Sequence, residues 1–252
     1  MKRKKLKRIR TAAFVLAAVM LIVTAAFCLG NLFAHDAEVH RQEEIFDELA
    51  EAAEETPIES EKSSETSFET LFSENSDMVG WIFIEGTGVN YPVMQTKDSP
   101  NYYLKRNFKK AYSDLGVPYV QENCDLATSD NIIIYGHHIK GGKMFGSLDK
   151  FTSKSFYDKN KIIQFNTLTE QSQYQIIAVF KTIAYSASGF RYYDFVNAED
   201  EADFNAYVSR CKELALYDTG VTAKYGDRLL TLSTCKRFAE NGRLVVVAKK
   251  IG

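Results

Sequence analysis

Hydrophobic and polar positions divide the chain into regions of different period. Residues 11–34, Thr11 through Ala34, form an apolar run with no charged side chain. A helix of that length rises roughly 1.5 Å per residue and spans a hydrocarbon layer of about 30 Å, so the run predicts a transmembrane anchor. A cleaved signal peptide is the competing reading, because small residues lie near the end of the run. The run is, however, longer than the roughly 7 to 15 apolar residues of a typical signal core. From Asp36 to Glu55, the apolar residues Val39, Ile45, Phe46, Leu49, Ala52 and Ala53 recur at roughly helical spacing among acids, and Pro57 marks an end. Such a helix either leans on a folded domain or stands as a stalk. Residues 56–67 have almost no apolar content and read as a linker.

Order resumes near Phe68. Phe68, Leu71 and Phe72 suit a short helix leading into a strand over 78–84, and a second strand over 87–94 follows a Gly-containing turn. Pro92 favours an edge position in that second strand. Further strands are predicted over 117–121, 131–135, 161–166, 172–185, 228–235 and 243–249. Two stretches interrupt them: a helical turn over 145–151, and a helix over 198–216 with Phe204, Tyr207, Val208, Cys211, Leu214 and Ala215 on one face. That face makes Cys211 a packed apolar residue. Many short strands with few long helices predict a mainly β fold, a closed or nearly closed barrel.

Charge sharpens the organisation. The net charge of −2 hides seven Lys or Arg within residues 2–10 and fifteen acids within residues 35–77, against only Arg41 and Lys62. Basic residues before the apolar run put the N-terminus in the cytoplasm and everything after it outside. The expected organisation is therefore a cytoplasmic basic tail (1–10), a transmembrane anchor (11–34), an extracellular acidic stalk and linker (35–69) and one catalytic domain (70–252). The last part is mildly basic and large enough to bury a core. Of four cysteines, Cys28 lies in the apolar run, which leaves Cys124, Cys211 and Cys235 outside, an odd number in an oxidising compartment. No Cys-x-x-Cys or Cys/His spacing suggests zinc, and no metal or other cofactor is expected. Nor is a nucleic-acid partner.

The chemistry concentrates at Thr231-Leu232-Ser233-Thr234-Cys235, where an apolar strand opens into the polar loop Lys236-Arg237-Phe238-Ala239-Glu240-Asn241-Gly242. Nearby cations favour a thiolate, although a cysteine at a strand end is more often simply core. His137 and His138 follow the strand Ile132-Ile133-Ile134-Tyr135 across Gly136, and the other two histidines, His35 and His40, lie in the stalk. They suit a proton carrier that titrates near neutrality, or equally a pair of exposed loop histidines. Adjacent residues of an extended segment point in opposite directions, so at most one of the two faces a given thiol. Arg243 opens the last strand after the Asn241-Gly242 turn, which predicts antiparallel pairing with the segment of Cys235. A guanidinium there can hold a developing oxyanion; its ordinary alternative is an exposed edge arginine.

With these residues assembled, the chain resembles class B sortases, the cysteine transpeptidases of Gram-positive bacteria. The resemblance rests on Thr-Leu-Ser-Thr-Cys at 231–235, Arg243 on the next strand and Tyr135-Gly136-His137 on an earlier one. Gly80-Trp81-Ile82, Asn90-Tyr91-Pro92-Val93-Met94-Gln95, Tyr102-Tyr103-Leu104 and Lys143-Met144-Phe145-Gly146 add to it. It covers about residues 70–250 and implies a closed eight-stranded barrel with peripheral helices, the 198–216 helix lying beside the substrate groove. It also implies His137, Cys235 and Arg243 as the catalytic set, with His137 rather than His138 as the histidine, and Leu104, Tyr135 and Ser233 as substrate contacts. No catalytic carboxylate is assigned. The implied reaction is cleavage of an Asn-Pro-x-Thr-like sorting signal after Thr through a Cys235 thioester, then transfer to an amine of a peptidoglycan precursor or crossbridge. Resolution of the thioester by water would instead make the protein a cysteine peptidase. A barrel without the chemistry would be a membrane-tethered binding module.

Overall fold

The eight predicted strands all form. In the computed structural model, which describes residues 2–54, 67–235 and 240–252, they are β1 (Met78–Ile84), β2 (Val89–Met94), β3 (Tyr119–Val120), β4 (Asn131–Gly136), β5 (Ile162–Thr167), β6 (Gln171–Ile183), β7 (Leu229–Cys235) and β8 (Gly242–Lys250). They close into a barrel in the order β1-β2-β3-β4-β7-β8-β6-β5. Most neighbours are antiparallel, but β2 runs parallel to β3, and β4 runs parallel to β7 over six paired positions, from Asn131 opposite Leu229 to Gly136 opposite Thr234. The weakest seam is β2 against β3, where Met94 opposite Tyr119 is the paired position. Pro92 lies in the stretch of β2 that pairs with β1 and precedes that seam, so its missing N–H interrupts no second ladder.

Closure explains why the central strands are apolar on both faces. Leu230 and Leu232 of β7, with Leu244, Val246 and Ala248 of β8, fill the barrel with Ile82, Ile134 and Phe145. Their alternates Leu229, Val245 and Val247 face outward into a second core, completed by Phe180, Tyr192 and Phe204. The helix over that outer core is Glu201–Leu214. Its N-cap Asp200 accepts the Asp203 N–H at 2.9 Å, and it buries Phe204, Tyr207, Val208 and Cys211. Cys211 is the packed residue the periodicity predicts. Asn131 at the start of β4 ties the layers together. Its side-chain amide donates to the Phe195 carbonyl at 2.8 Å, and its oxygen accepts from the Thr231 hydroxyl at 2.8 Å.

Before the barrel lie two further helices, α1 (Lys2–Glu54) and α2 (Ser67–Glu74). The apolar run and the acidic amphipathic stretch thus form one uninterrupted helix. Phe14, Leu16, Leu21, Ile22, Phe27 and Phe33 are all exposed on it, a surface suited to lipid rather than water, and it is long and apolar enough to cross a membrane. The compact unit that contains the barrel begins at Phe46, within the last turns of α1. Phe46 and Leu49 are buried, and the Phe46 ring meets Tyr91 of β2 edge-on, centroids 5.2 Å apart. The linker expected over 56–67 lies almost wholly outside the described residues.

Candidate active site

Register delivers the three chemical residues to one end of the barrel. β4 and β7 are parallel neighbours whose last paired positions are Gly136 and Thr234, and His137 and Cys235 come next on the two chains. β8 returns antiparallel, with Arg243 as the partner of Cys235. β7 and β8 pair antiparallel as expected, and Asn241, just before β8, has a left-handed φ of 56°. The side chain of Cys235 and the basic loop residues Lys236 and Arg237 lie outside the described residues.

At this barrel end lies a cavity of about 220 Å³ whose walls include Leu104, Tyr135, His137, Ser233, Thr234 and Arg243. Five of the six residues singled out in the sequence therefore line one space, with Cys235 on the strand that forms its wall. The His137 Nε2 lies 2.6 Å from the Leu104 carbonyl oxygen. A carbonyl only accepts, so Nε2 carries the proton and donates, which leaves Nδ1 to exchange a proton. Burial holds the His137 pKa below its ordinary value, and Lys105 adds to the effect; the Leu104 carbonyl and Asp114 oppose it. The ring is consequently mainly neutral at pH 7.

Two glycines allow close packing around this residue. Gly136 precedes it, and a Cβ there would fall 2.6 Å from the Phe145 ring; Gly116, at φ +61°, would bring a Cβ within 3.1 Å of the His137 Cδ2. His138 points elsewhere, with its Nε2 2.9 Å from Asp149 Oδ2, as strand alternation requires.

Arg243 donates from Nη1 to the Gly242 carbonyl at 3.1 Å, and among the described residues no carboxylate pairs with it. Its guanidinium keeps donors for a ligand. Tyr135 and Ser233 are engaged already: the Tyr135 hydroxyl donates to Gln121 Oε1, and the buried Ser233 hydroxyl lies 2.6 Å from that of Tyr192. The walls also include Asn101, Tyr119, Tyr185 and Tyr192, which sequence patterns did not single out. They come from loops and strands far apart in the chain, and no local spacing signals them. Tyr185 is exposed, takes a left-handed φ of 58° and packs its ring on Tyr193 at 5.2 Å. A larger cavity, about 500 Å³, lies at the opposite end of the barrel among Phe72, Leu126, Phe165, Leu168, Tyr174 and Arg228, away from this set. The arrangement around His137 brings together a cysteine strand, an imidazole and a guanidinium, groups of the kinds that nucleophilic acyl transfer can use.

Comparison with known proteins agrees. A sortase domain family model matches residues 82–251. Sortase B of Staphylococcus aureus is 33% identical over 186 residues, 73% of this chain and 74% of the relative. Sortase B of Listeria monocytogenes is 33% identical over 180 residues, 70% of this chain and 71% of the relative. The solved structure of a Staphylococcus aureus sortase B–substrate complex superposes with a TM-score of 0.76 at 30% identity, covering 85% of this chain and 98% of the other. The chain belongs to the sortase family, in its class B branch, and is a cysteine transpeptidase.

Proposed function

We propose that this transpeptidase is held in the membrane by residues 11–34, N-terminus in the cytoplasm, with its catalytic domain (70–252) on the outer face of a Gram-positive cell. There it joins surface proteins to the cell wall. Cys235 attacks the Thr carbonyl of an Asn-Pro-x-Thr-like sorting signal, forming a C–S bond as the C–N bond to the following residue breaks. His137 takes the thiol proton and delivers it to the departing amine. When the amine of a peptidoglycan precursor or crossbridge then bonds to the thioester carbon and the C–S bond breaks, His137 takes that amine's proton and returns it to the Cys235 sulfur. Arg243 donates to the oxygen of each tetrahedral intermediate. Leu104, Tyr135 and Ser233 form the walls against which the sorting signal rests. One observation carries this reading: parallel β4 and β7 end side by side, with His137 the first residue after β4 and Cys235 the last of β7, while β8 sets Arg243 opposite Cys235.

Mass spectrometry of the full chain in detergent micelles, incubated with a library of sorting peptides with and without an amine acceptor, tests it. The expected result is an acyl adduct on Cys235 carrying the peptide up to Thr, discharged as an amide when the amine is present. Peptide turnover with the adduct on another residue, or products unaffected by the amine, would overturn it. The histidine assignment has its own check. His137→Ala lowers kcat by about 100-fold or more, the usual scale of a general acid–base group, whereas His138→Ala, which removes only the pairing with Asp149, costs far less. The reverse order, in variants shown to be folded, would exchange the two roles.

A further inference from the structure

Two segments of the sequence pattern, Asn90-Tyr91-Pro92-Val93-Met94 and Lys143-Met144-Phe145-Gly146, hold no reacting group, yet they meet behind the His137 loop. That loop leaves β4 at Gly136 and closes on itself when the Phe145 N–H donates to the His137 carbonyl at 2.9 Å. Inside the closure, His138 bridges Met144. Met144 is buried and adopts φ 50°, ψ −133°, a backbone region that L residues with a side chain rarely occupy. Strain of that kind persists only when surrounding contacts hold it. The holding contact is the Tyr91 hydroxyl, which accepts the Met144 N–H at 3.1 Å. The Tyr91 ring is in turn packed edge-on by Phe46, from the last turns of α1. A continuous series of contacts thus runs from the end of the anchor helix to the residue beside His137.

We propose that Tyr91 is a positioning residue for the His137 loop and that Phe46 completes it, so that the last turns of α1, past the membrane-spanning run, act in the chemistry. The inference rests on reading His137 as the proton carrier. Its logic is geometric: a proton carrier misplaced by about 1 Å loses much of its effect, and a loop with a strained buried residue has a relaxed alternative to fall into. Releasing Met144 from Tyr91 lets the loop relax and admits water to the His137 ring, whose burial otherwise disfavours its charged form. The charged groups that act on the ring, Lys105 and Asp114, are not altered by these substitutions.

The test compares wild type, Tyr91→Phe and Phe46→Ala as full chains in detergent micelles. Each is labelled with 13C-histidine and titrated by NMR, with the His137 signal assigned through its loss in His137→Ala. Both variants are expected to raise the His137 midpoint by at least about 0.5 unit and to lower kcat on a captured peptide more than they change KM. Tyr91→Phe keeps the ring and the core, so its effect is not one of folding, and thermal melts of all three verify that. A His137 midpoint unmoved in either variant, whatever the melting temperature does, overturns the inference. Failure of the catalytic reading is seen separately, as unimpaired turnover in His137→Ala.

Discussion

Cys235→Ala abolishes both cleavage of sorting peptides and transfer to an amine, while Cys124→Ala and Cys211→Ala retain them. The contrast follows from burial. Cys124 and Cys211 are almost completely enclosed, and burial pushes their thiols up to about 11 and about 12. At pH 7 such a thiol is on the order of 10⁻⁴ or less thiolate, and the thiolate is the nucleophile. Replacing either leaves a small cavity worth about 1 to 2 kcal/mol, felt in the melting temperature rather than in turnover. Cys235 ends the strand that contributes Ser233 and Thr234 to the cavity wall, with Arg243 as its register partner, and in the proposed reaction its sulfur makes and breaks the thioester bond. Product analysis by mass spectrometry, with circular dichroism to show that each variant folds, makes the comparison. Peptide cleavage persisting in folded Cys235→Ala would remove Cys235 from the reaction.

The strands are legible because a half-buried or fully buried strand writes its period into the sequence, and the β7–β8 pairing because the turn dipeptide Asn241-Gly242 stands at the start of the second strand. The local pattern alone therefore pairs Cys235 with Arg243, as the barrel does. His137 cannot be placed in the same way. Its position beside Cys235 depends on the parallel pairing of β4 with β7, strands separated by nearly a hundred residues with β5, β6 and several helical segments between them. No local pattern encodes such a crossover; the family resemblance supplies it. The cavity walls are partly hidden for a related reason. Tyr185 and Tyr192 lie in the connection after β6, where nothing in their spacing separates a wall from an exposed loop. Ser233 is legible as a position, but its hydroxyl is committed to Tyr192, a partner 41 residues away.

Arg243→Lys remains folded and charged yet loses about 10² to 10³ in turnover, the cost of one oxyanion donor, or roughly 2.7 to 4 kcal/mol of transition-state stabilisation. Lysine keeps the cation but not the planar fork, and the fork is what the geometry uses. One arm of the guanidinium donates to the Gly242 carbonyl, which fixes the plane of the group and directs its other N–H donors. An ammonium on a flexible stem spends its donors on that carbonyl or on water and fixes no second direction. The alternative is that Arg243 serves through charge alone, lowering the pKa of the facing thiol, and the two explanations separate on a reagent that forms no tetrahedral intermediate. Alkylation of Cys235 by iodoacetamide develops no carbonyl oxyanion, so its rate against pH reports the thiolate directly. With the fork as the working part, Arg243→Lys alkylates at close to the wild-type rate and with the same pH midpoint, while transpeptidation collapses. Near-normal transpeptidation by the lysine variant would refute the geometric role, and an equal collapse of alkylation would assign Arg243 to thiolate activation instead.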